Sequence, residues 1–259
     1  MFVTGASGFL GRHVVPASER HEWELLAPAS RVLDVRERAR VLDEIVTWKP
    51  NVVLHLAYRA DDRRTIVDGS RNVAVAAAAA GSRLIHMSTD LVFGGRPLPY
   101  TEDVAPDATM QYGRWKAEAE LAVLAACPGA LVVRSSLMYG TDLLSPPQRD
   151  VQSVLAGRSA MRFFADEIRC PAHADDIAEA MVRLADMPQV TGVLHVAGPR
   201  AVSRAELAQA FAVTLGGSGA RVPTASLADS GLDRPGHLVL DVSRAASLGI
   251  TCRDLSTAL

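Results

Sequence analysis

The sequence predicts an α/β fold, a doubly wound parallel sheet covered by helices on both faces, with a small C-terminal lobe. Short apolar runs alternate with helical patterns through the first half of the chain. This alternation is typical of parallel strands joined by crossover helices. A glycine-rich turn follows the first run. The 259 residues, 49% hydrophobic and 22% charged, are enough to bury one sizeable core.

The first half supplies the strands and the helices between them. The second helix starts at Asp34, which has capping-box spacing to Glu37, carries an apolar stripe and is closed by Pro50. Residues 73–80 form a short, Ala-rich buried helix, and a further helix covers 111–126. The predicted strands are 1–4, 24–27, 51–56, 84–88 and 130–134.

The alternation of strand and helix patterns ends after Gly140. Pro146-Pro147 follow, and a poorly periodic stretch then continues to Pro171. We therefore expect residues 1–140 to form the main core, and residues 141–259 to complete it at about 171–200 and to form the small lobe. The elements predicted here are a helix near 148–156, a helix starting at Asp175 or Asp176, a strand near 193–196, and a helix capped by Ser203 with Glu206 at capping-box spacing.

Composition excludes several classes of protein. A net charge of −2 lacks the basic excess of a nucleic-acid binder, so nucleic acid is not an expected partner. No apolar run approaches the roughly 20 residues that span a bilayer, and no basic segment precedes an apolar one at the start, so we expect a cytoplasmic protein without a membrane partner. Three widely spaced cysteines predict neither disulfides nor a metal site.

The turn after the first strand carries Gly5-x-x-Gly8-x-x-Gly11. Closely spaced glycines between a strand and a helix expose backbone N–H groups at a helix N-terminus, where they attract a pyrophosphate. We therefore expect a Rossmann-type core that binds a dinucleotide on Gly5, Ser7, Gly8, Phe9, Leu10 and Gly11.

The end of the second predicted strand indicates which dinucleotide binds. An acidic residue there favours NAD, whereas an arginine suits the 2′-phosphate of NADP. This chain has Ser30-Arg31 at that place, and Arg12 follows the glycines. We predict that Ser30, Arg31 and Arg12 contact the cofactor and that it is NADP, with NAD as the alternative.

Tyr112 and Lys116 are four residues apart at the start of the 111–126 helix, so they share a face. A neighbouring ammonium favours the phenolate and lowers the pKa of a tyrosine. Thr89 lies just past the end of the fourth predicted strand, on the edge where parallel sheets bind ligands. His55, His86 and His195 lie inside apolar strands and are expected to be packed core residues.

In this context the chain resembles the extended short-chain dehydrogenase/reductase family, and within it the dTDP-4-dehydrorhamnose reductase branch. The glycine turn, Ser88-Thr89-Asp90-Leu91-Val92-Phe93-Gly94, Pro99-Tyr100-Thr101-Glu102-Asp103 and Tyr112-Gly113-Arg114-Trp115-Lys116 carry the resemblance. It implies that Tyr112 donates a proton to the nascent alkoxide, that Lys116 binds the nicotinamide ribose and lowers the tyrosine pKa, and that Thr89 holds the carbonyl.

Further cofactor and substrate contacts are implied by the same resemblance. Asp34 and Val35 resemble the acidic and apolar pair that holds the adenine. The segment Leu56-Ala57-Tyr58 stands where the family lines the cofactor, although its sequence and that of Ile66-Val67-Asp68-Gly69-Ser70 depart from the family pattern. On the substrate side, the candidates are Thr89, Asp90, His173 and Arg234.

These residues together predict an NADP(H)-dependent reductase acting on a keto group of a nucleotide-linked sugar or a related small carbonyl compound. Two alternatives stay open. The chain could be a nucleotide-sugar epimerase or dehydratase that retains its cofactor, or a non-catalytic, NADP-binding regulatory subunit, since the same branch includes the regulatory subunit of methionine adenosyltransferase. The expected partner is a small-molecule substrate, and a homodimer is one arrangement in which the chain could assemble.

Overall fold

The computed structural model describes all 259 residues. The helices are α1 (Gly11–Arg20), α2 (Arg38–Trp48), α3 (Gly69–Ala80), α4 (Gln111–Ala126), α5 (Pro146–Leu155), α6 (Ala174–Ala185), α7 (Arg204–Thr214), α8 (Ser243–Ser247) and α9 (Leu255–Ala258). The strands are β1 (Phe2–Thr4), β2 (Val52–His55), β3 (Arg83–Thr89), β4 (Leu131–Ser135), β5 (Met138–Tyr139), β6 (Phe163–Phe164), β7 (Ile168–Arg169), β8 (Ala172–His173), β9 (Gly192–His195), β10 (Val202–Ser203) and β11 (Thr224–Ala225).

The central sheet has five parallel strands in the order β1-β2-β3-β4-β9. Its strands read as continuous apolar runs because helices cover both faces. One face packs on α1 and α6 through Val14 and Met181, and the other packs on α2 and α3 through Val41 and Val73. The predicted doubly wound α/β fold is therefore confirmed.

A third apolar cluster lies outside the sheet, in the C-terminal part of the chain. Tyr139, Val151, Phe163 and Phe211 are buried there between α5, α7 and the short strand β6. Only two-stranded sheets support it, namely β10 with β7, β11 with β6, and β5 with β8. This C-terminal lobe therefore depends on helix packing more than on sheet hydrogen bonds.

Several predicted boundaries agree with the structure and two do not. The helix over 111–126 and the capping box of Ser203 and Glu206 are confirmed. The strand predicted at 24–27 is wrong, because only Leu26 forms a bridge, to Phe2. The second helix starts at Arg38 rather than at Asp34.

No helix in the chain combines the length and the apolar character needed to cross a bilayer.

Candidate functional site

A cavity of about 660 Å³ lies at the carboxyl ends of β1, β2 and β3. Open parallel sheets bind ligands at this edge. The cavity extends from the glycine turn, across the start of α4, to the start of α5 in the C-terminal lobe. The predicted site residues on its wall are Gly5, Ser7, Gly8, Phe9, Leu10, Gly11, Ser30, Arg31, Asp34, Val35, Leu56, Ala57, Tyr58, Thr89, Tyr112 and Lys116.

The three glycines of the turn have different physical tasks. Gly5 has φ +74°, and a Cβ on it would lie 2.6 Å from the backbone nitrogen of Ala57, in the segment that follows β2. A Cβ on Gly11 would lie within 2.5 Å of Ala6 Cα. At Gly8 the only nearby atom is the carbonyl oxygen of Gly5, at 3.2 Å. Gly5 and Gly11 thus allow strand and helix to meet closely, while Gly8 leaves its side toward the cavity open.

The backbone of this turn fits the diphosphate of a dinucleotide. The N–H of Gly8 donates to the carbonyl of Gly5, and the helical ladder begins only with the N–H groups of Arg12 and later residues. The N–H groups of Phe9, Leu10 and Gly11 have no partner within the protein. Three successive free donors at a helix N-terminus form an anion site.

We expect Gly5→Ala to remove cofactor binding and to destabilise the fold. The positive φ disfavours any side chain, and the added Cβ would meet the backbone of Ala57. Denaturant unfolding should show a loss about 2 kcal/mol larger than for Gly81→Ala. Gly81 is the matched control, because it has φ +68° with no atom within 4 Å of an added Cβ. Equal losses in the two variants would contradict this explanation.

At the end of the cavity formed by Ser30 to Arg36, cations outnumber carboxylates. Arg31, Arg36 and Arg59 line it together with Asp34. The carboxylate of Asp34 accepts two hydrogen bonds from Arg36, one from Nε at 3.0 Å and one from Nη2 at 2.6 Å. This contact lowers the pKa of Asp34. Its charge is thus largely neutralised, and Arg31 stays exposed at the rim without a salt bridge.

Arg12, also predicted to contact the cofactor, lies off the cavity wall. Its Nε donates to the carbonyl oxygen of Ser7 at 3.2 Å, so it braces the outer side of the turn. Asp34 is on the wall as predicted, but it does not cap the second helix, whose first residue follows Glu37 without a side-chain cap. Its oxygens face Arg36 instead, both at the side chain and at the backbone N–H.

Thr89 and Tyr112 both line the cavity. The hydroxyl of Thr89 accepts from the N–H of Leu91 at 3.2 Å, and the ring of Tyr58 lies 6.3 Å from that of Tyr112. Burial raises the pKa of Tyr112 above its usual value, and the charge of Asp90 raises it further. Tyr112 is therefore neutral at physiological pH and able to donate a proton.

Lys116 does not lower the tyrosine pKa in this state, contrary to the expectation from spacing. Its Nζ donates to the carbonyl oxygen of Met87 at 2.7 Å and lies 3.3 Å from His86 Nε2. Burial lowers the pKa of Lys116 to about 8, while the carboxylate of Glu120 acts in the opposite direction. The ammonium thus faces β3, and the phenol of Tyr112 responds mainly to its burial.

Three predicted substrate residues are not brought to the cavity wall. Asp90 is fully buried and holds Arg169, with Nε of Arg169 donating to Oδ2 at 2.8 Å. Nε2 of His173 faces the hydroxyl of Thr141 at 3.0 Å, and its Nδ1 accepts from a helix N–H. Arg234 donates to Glu167 at 2.9 Å. All three side chains are committed to internal contacts.

The wall also contains residues that sequence reasoning missed. Arg169 is the most notable, because its guanidinium is a charge buried at the cavity and paired with Asp90 across 79 positions of sequence. Ser145 and Gln148 are not on the wall, but their capping-box spacing signals the start of α5 and could have been noticed. The other missed wall residues include Arg36, Met87, Leu91, Ser136, Leu137, Met138, Pro146 and Pro147.

Two curated relatives match nearly the whole chain. The methionine adenosyltransferase 2 subunit beta of Xenopus laevis is 30% identical over 287 residues, which cover 96% of this chain and 82% of that protein. The dTDP-4-dehydrorhamnose reductase of Mycolicibacterium smegmatis is 32% identical over 274 residues, which cover 99% of this chain and 83% of that protein.

A solved structure shows the same fold over the same length. The dTDP-4-dehydrorhamnose reductase from Bacillus anthracis in complex with NADP has a TM-score of 0.88 at 23% identity, with 99% of this chain and 95% of that chain covered. The family model described as RmlD substrate binding domain matches residues 1–259. The chain therefore belongs to this family, the dTDP-4-dehydrorhamnose reductase-like branch of the extended short-chain dehydrogenases/reductases.

Proposed function

We propose that this protein is an NADP(H)-dependent reductase of a keto group on a nucleotide-linked sugar or a related small carbonyl compound. One observation carries the proposal: the free N–H groups of the glycine turn and the side chains of Thr89, Tyr112 and Lys116 line one continuous cavity. A dinucleotide held by its diphosphate at the turn reaches the Tyr112 end of the same cavity.

The chain's own residues supply binding, orientation and a proton. When bound, the reduced nicotinamide supplies a hydride to the carbonyl carbon. Thr89 donates a hydrogen bond to the carbonyl oxygen, and Tyr112 gives that oxygen its phenolic proton as the C=O bond becomes C–OH. Lys116, whose ammonium faces β3, binds the cofactor ribose. The raised pKa of Tyr112 suits this direction, since the tyrosine enters the reaction protonated.

Cofactor stoichiometry tests the proposal. Incubation with NADPH and a dTDP-linked 4-keto-6-deoxysugar should consume one NADPH for each product formed, as followed by the absorbance of the reduced nicotinamide. Conversion without net NADPH consumption, with a cofactor retained through purification, would support the epimerase or dehydratase function instead.

We also propose that NADP is preferred over NAD, because Arg31 is an unpaired cation at the adenine end and Asp34 is neutralised by Arg36. The Bacillus anthracis reductase, which shares the fold, holds NADP.

We expect Arg31→Ala to raise the dissociation constant for NADPH about tenfold and to leave that for NADH unchanged, because only NADPH carries a 2′-phosphate that can pair with the guanidinium. Titration of intrinsic fluorescence measures both constants. The control is Arg38→Ala, an exposed arginine nearby that does not line the cavity. Parallel weakening of both cofactors would place the 2′-phosphate elsewhere.

A regulatory subunit is the second candidate, favoured by the 30% identity to methionine adenosyltransferase 2 subunit beta. In that function the protein would bind NADP and a stable protein partner in a fixed ratio, and it would turn over no carbonyl substrate. Purification from the native host followed by a broad carbonyl screen separates the two functions.

A further inference from the structure

Lys116 is held on two sides by β3. Its side chain enters the cavity wall almost fully buried, with 4% of the residue exposed. One N–H donates to the carbonyl oxygen of Met87 at 2.7 Å, and a second points to Nε2 of His86 at 3.3 Å. An ammonium has three donors in tetrahedral directions. With two of them fixed, the direction of the third follows from geometry.

The contact with Lys116 determines the protonation of His86. An ammonium group can only donate, so Nε2 of His86 accepts and the ring proton resides on Nδ1. That Nδ1 is buried without any partner. Since burial lowers the pKa of His86 well below its usual value, the ring stays neutral and keeps its lone pair at Nε2. A histidine that only filled space would gain nothing from this tautomer, because it leaves a buried donor unsatisfied.

His55 holds the ring of His86 in place. The two rings stack with centroids 5.1 Å apart. His55 is locked on both sides, because Thr4 Oγ1 lies 2.7 Å from its Nδ1 and Ser70 Oγ lies 3.0 Å from its Nε2. The hydroxyl of Ser70 donates its hydrogen bond to the carbonyl oxygen of Ile66, so it accepts one from Nε2 of His55. A fixed neutral ring thus packs behind His86.

We propose that His86 is a positioning residue for Lys116: its Nε2 and the carbonyl oxygen of Met87 take two N–H groups of the ammonium and thereby aim the third into the cavity. This inference rests on the proposed function in one respect, that a cofactor ribose receives this third N–H. The His86 contact itself exists without any ligand.

The groups that act on the charge of Lys116 come from three elements. Glu120 on its own helix favours the charged form, and Tyr112 on the same helix is neutral. His86 on β3 and His55 on β2 are neutral rings. The segment before α3 adds apolar side chains, and its Arg63 pairs with Glu118 on the outer face of α4. A substitution of His86 can thus remove one side-chain hydrogen bond to the ammonium and leave the charged groups around it in place.

The sequence contains only two lysines, Lys49 and Lys116, so the ammonium can be titrated directly. In protein labelled with ¹³C at lysine Cε, nuclear magnetic resonance gives one signal for each, and exposed Lys49 is an internal reference. In the wild type we expect the pKa of Lys116 at about 8. His86→Leu removes an acceptor that favours the charged form, so the midpoint should fall by about one unit.

Two further variants distinguish loss of the His86 hydrogen bond from a general disturbance of the core. His86→Gln restores an acceptor near the place of Nε2, and its midpoint should return to within about 0.3 units of the wild type. His195→Gln removes another fully buried strand histidine that does not contact Lys116, and its midpoint should equal that of the wild type. An unchanged or higher midpoint in His86→Leu, or a midpoint in His86→Gln as low as that of His86→Leu, would overturn the proposal.

NADPH binding then tests the aim of the third N–H. We expect the dissociation constant for NADPH to rise about tenfold in His86→Leu and to recover to within about threefold of the wild type in His86→Gln. Unaltered affinity in His86→Leu would overturn the positioning role. Both measurements work on a protein that turns over nothing, so failure of the reductase function and failure of this inference are distinguishable.

Discussion

Tyr112→Phe is expected to lower kcat by at least about a hundredfold, because the alkoxide that forms on the substrate loses its proton donor. Affinity for NADPH should stay close to the wild-type value, since the phenyl ring keeps its place beside Tyr58. Steady-state rates of NADPH oxidation and fluorescence titration measure the two effects separately.

The control for this substitution is Tyr139→Phe. The hydroxyl of Tyr139 is buried without a partner in the C-terminal lobe, away from the cavity wall. Losing it should leave turnover unchanged and should not lower stability, because the hydroxyl makes no hydrogen bond. Undiminished turnover in Tyr112→Phe, or an equal loss in Tyr139→Phe, would remove Tyr112 from the mechanism.

Asp90→Asn is expected to destabilise the protein by about 3 kcal/mol, because it leaves the buried guanidinium of Arg169 without its main counter-charge. The two side chains form a bidentate pair in which Nε of Arg169 donates to Oδ2 at 2.8 Å, and Ser136 donates to the same oxygen at 2.6 Å. Glu167, 3.6 Å from Arg169, compensates only in part. Unfolding in urea measures the loss.

Glu118→Gln provides the contrast to Asp90→Asn. Glu118 also pairs with an arginine, Arg63, but both side chains are more than 40% exposed. An exposed pair contributes little because water and salt screen it. A loss of unfolding free energy for Asp90→Asn as small as that for Glu118→Gln would show that water in the cavity solvates the guanidinium of Arg169 well enough without its counter-charge.

Arg169 places a positive charge at the wall of the cavity that we propose as the substrate site. Its guanidinium lines the cavity, and its charge acts on Tyr112 against that of Asp90. The family resemblance implied that Asp90 contacts the substrate. The structure gives it the indirect task of holding the arginine at the cavity wall.

Local signals in the sequence were sufficient for the elements that build the site. The glycine spacing predicted the turn, and the i, i+4 spacing of Tyr112 and Lys116 predicted two side chains on one face of α4. Both depend on residues close together in the chain. The capping box at Ser203 was found for the same reason.

Contacts between distant residues could not be predicted in this way. Arg169 is buried only because Asp90 lies opposite, and His173 turns to Thr141 and the N-terminus of α6. The strand expected at 24–27 is reduced to one bridge at Leu26. Its apolar residues do pack against the core, so the apolar run predicted burial but not strand pairing. The direction of Lys116, toward β3, likewise depends on His86 from another element.

The most direct test is a crystal structure of the protein with NADPH and the dTDP-linked 4-keto-6-deoxysugar. We expect the diphosphate against the N–H groups of Phe9, Leu10 and Gly11, the 2′-phosphate beside Arg31, and the nicotinamide ring next to Tyr112. A dinucleotide bound elsewhere, or bound with its nicotinamide away from Tyr112, would contradict the proposed reductase site.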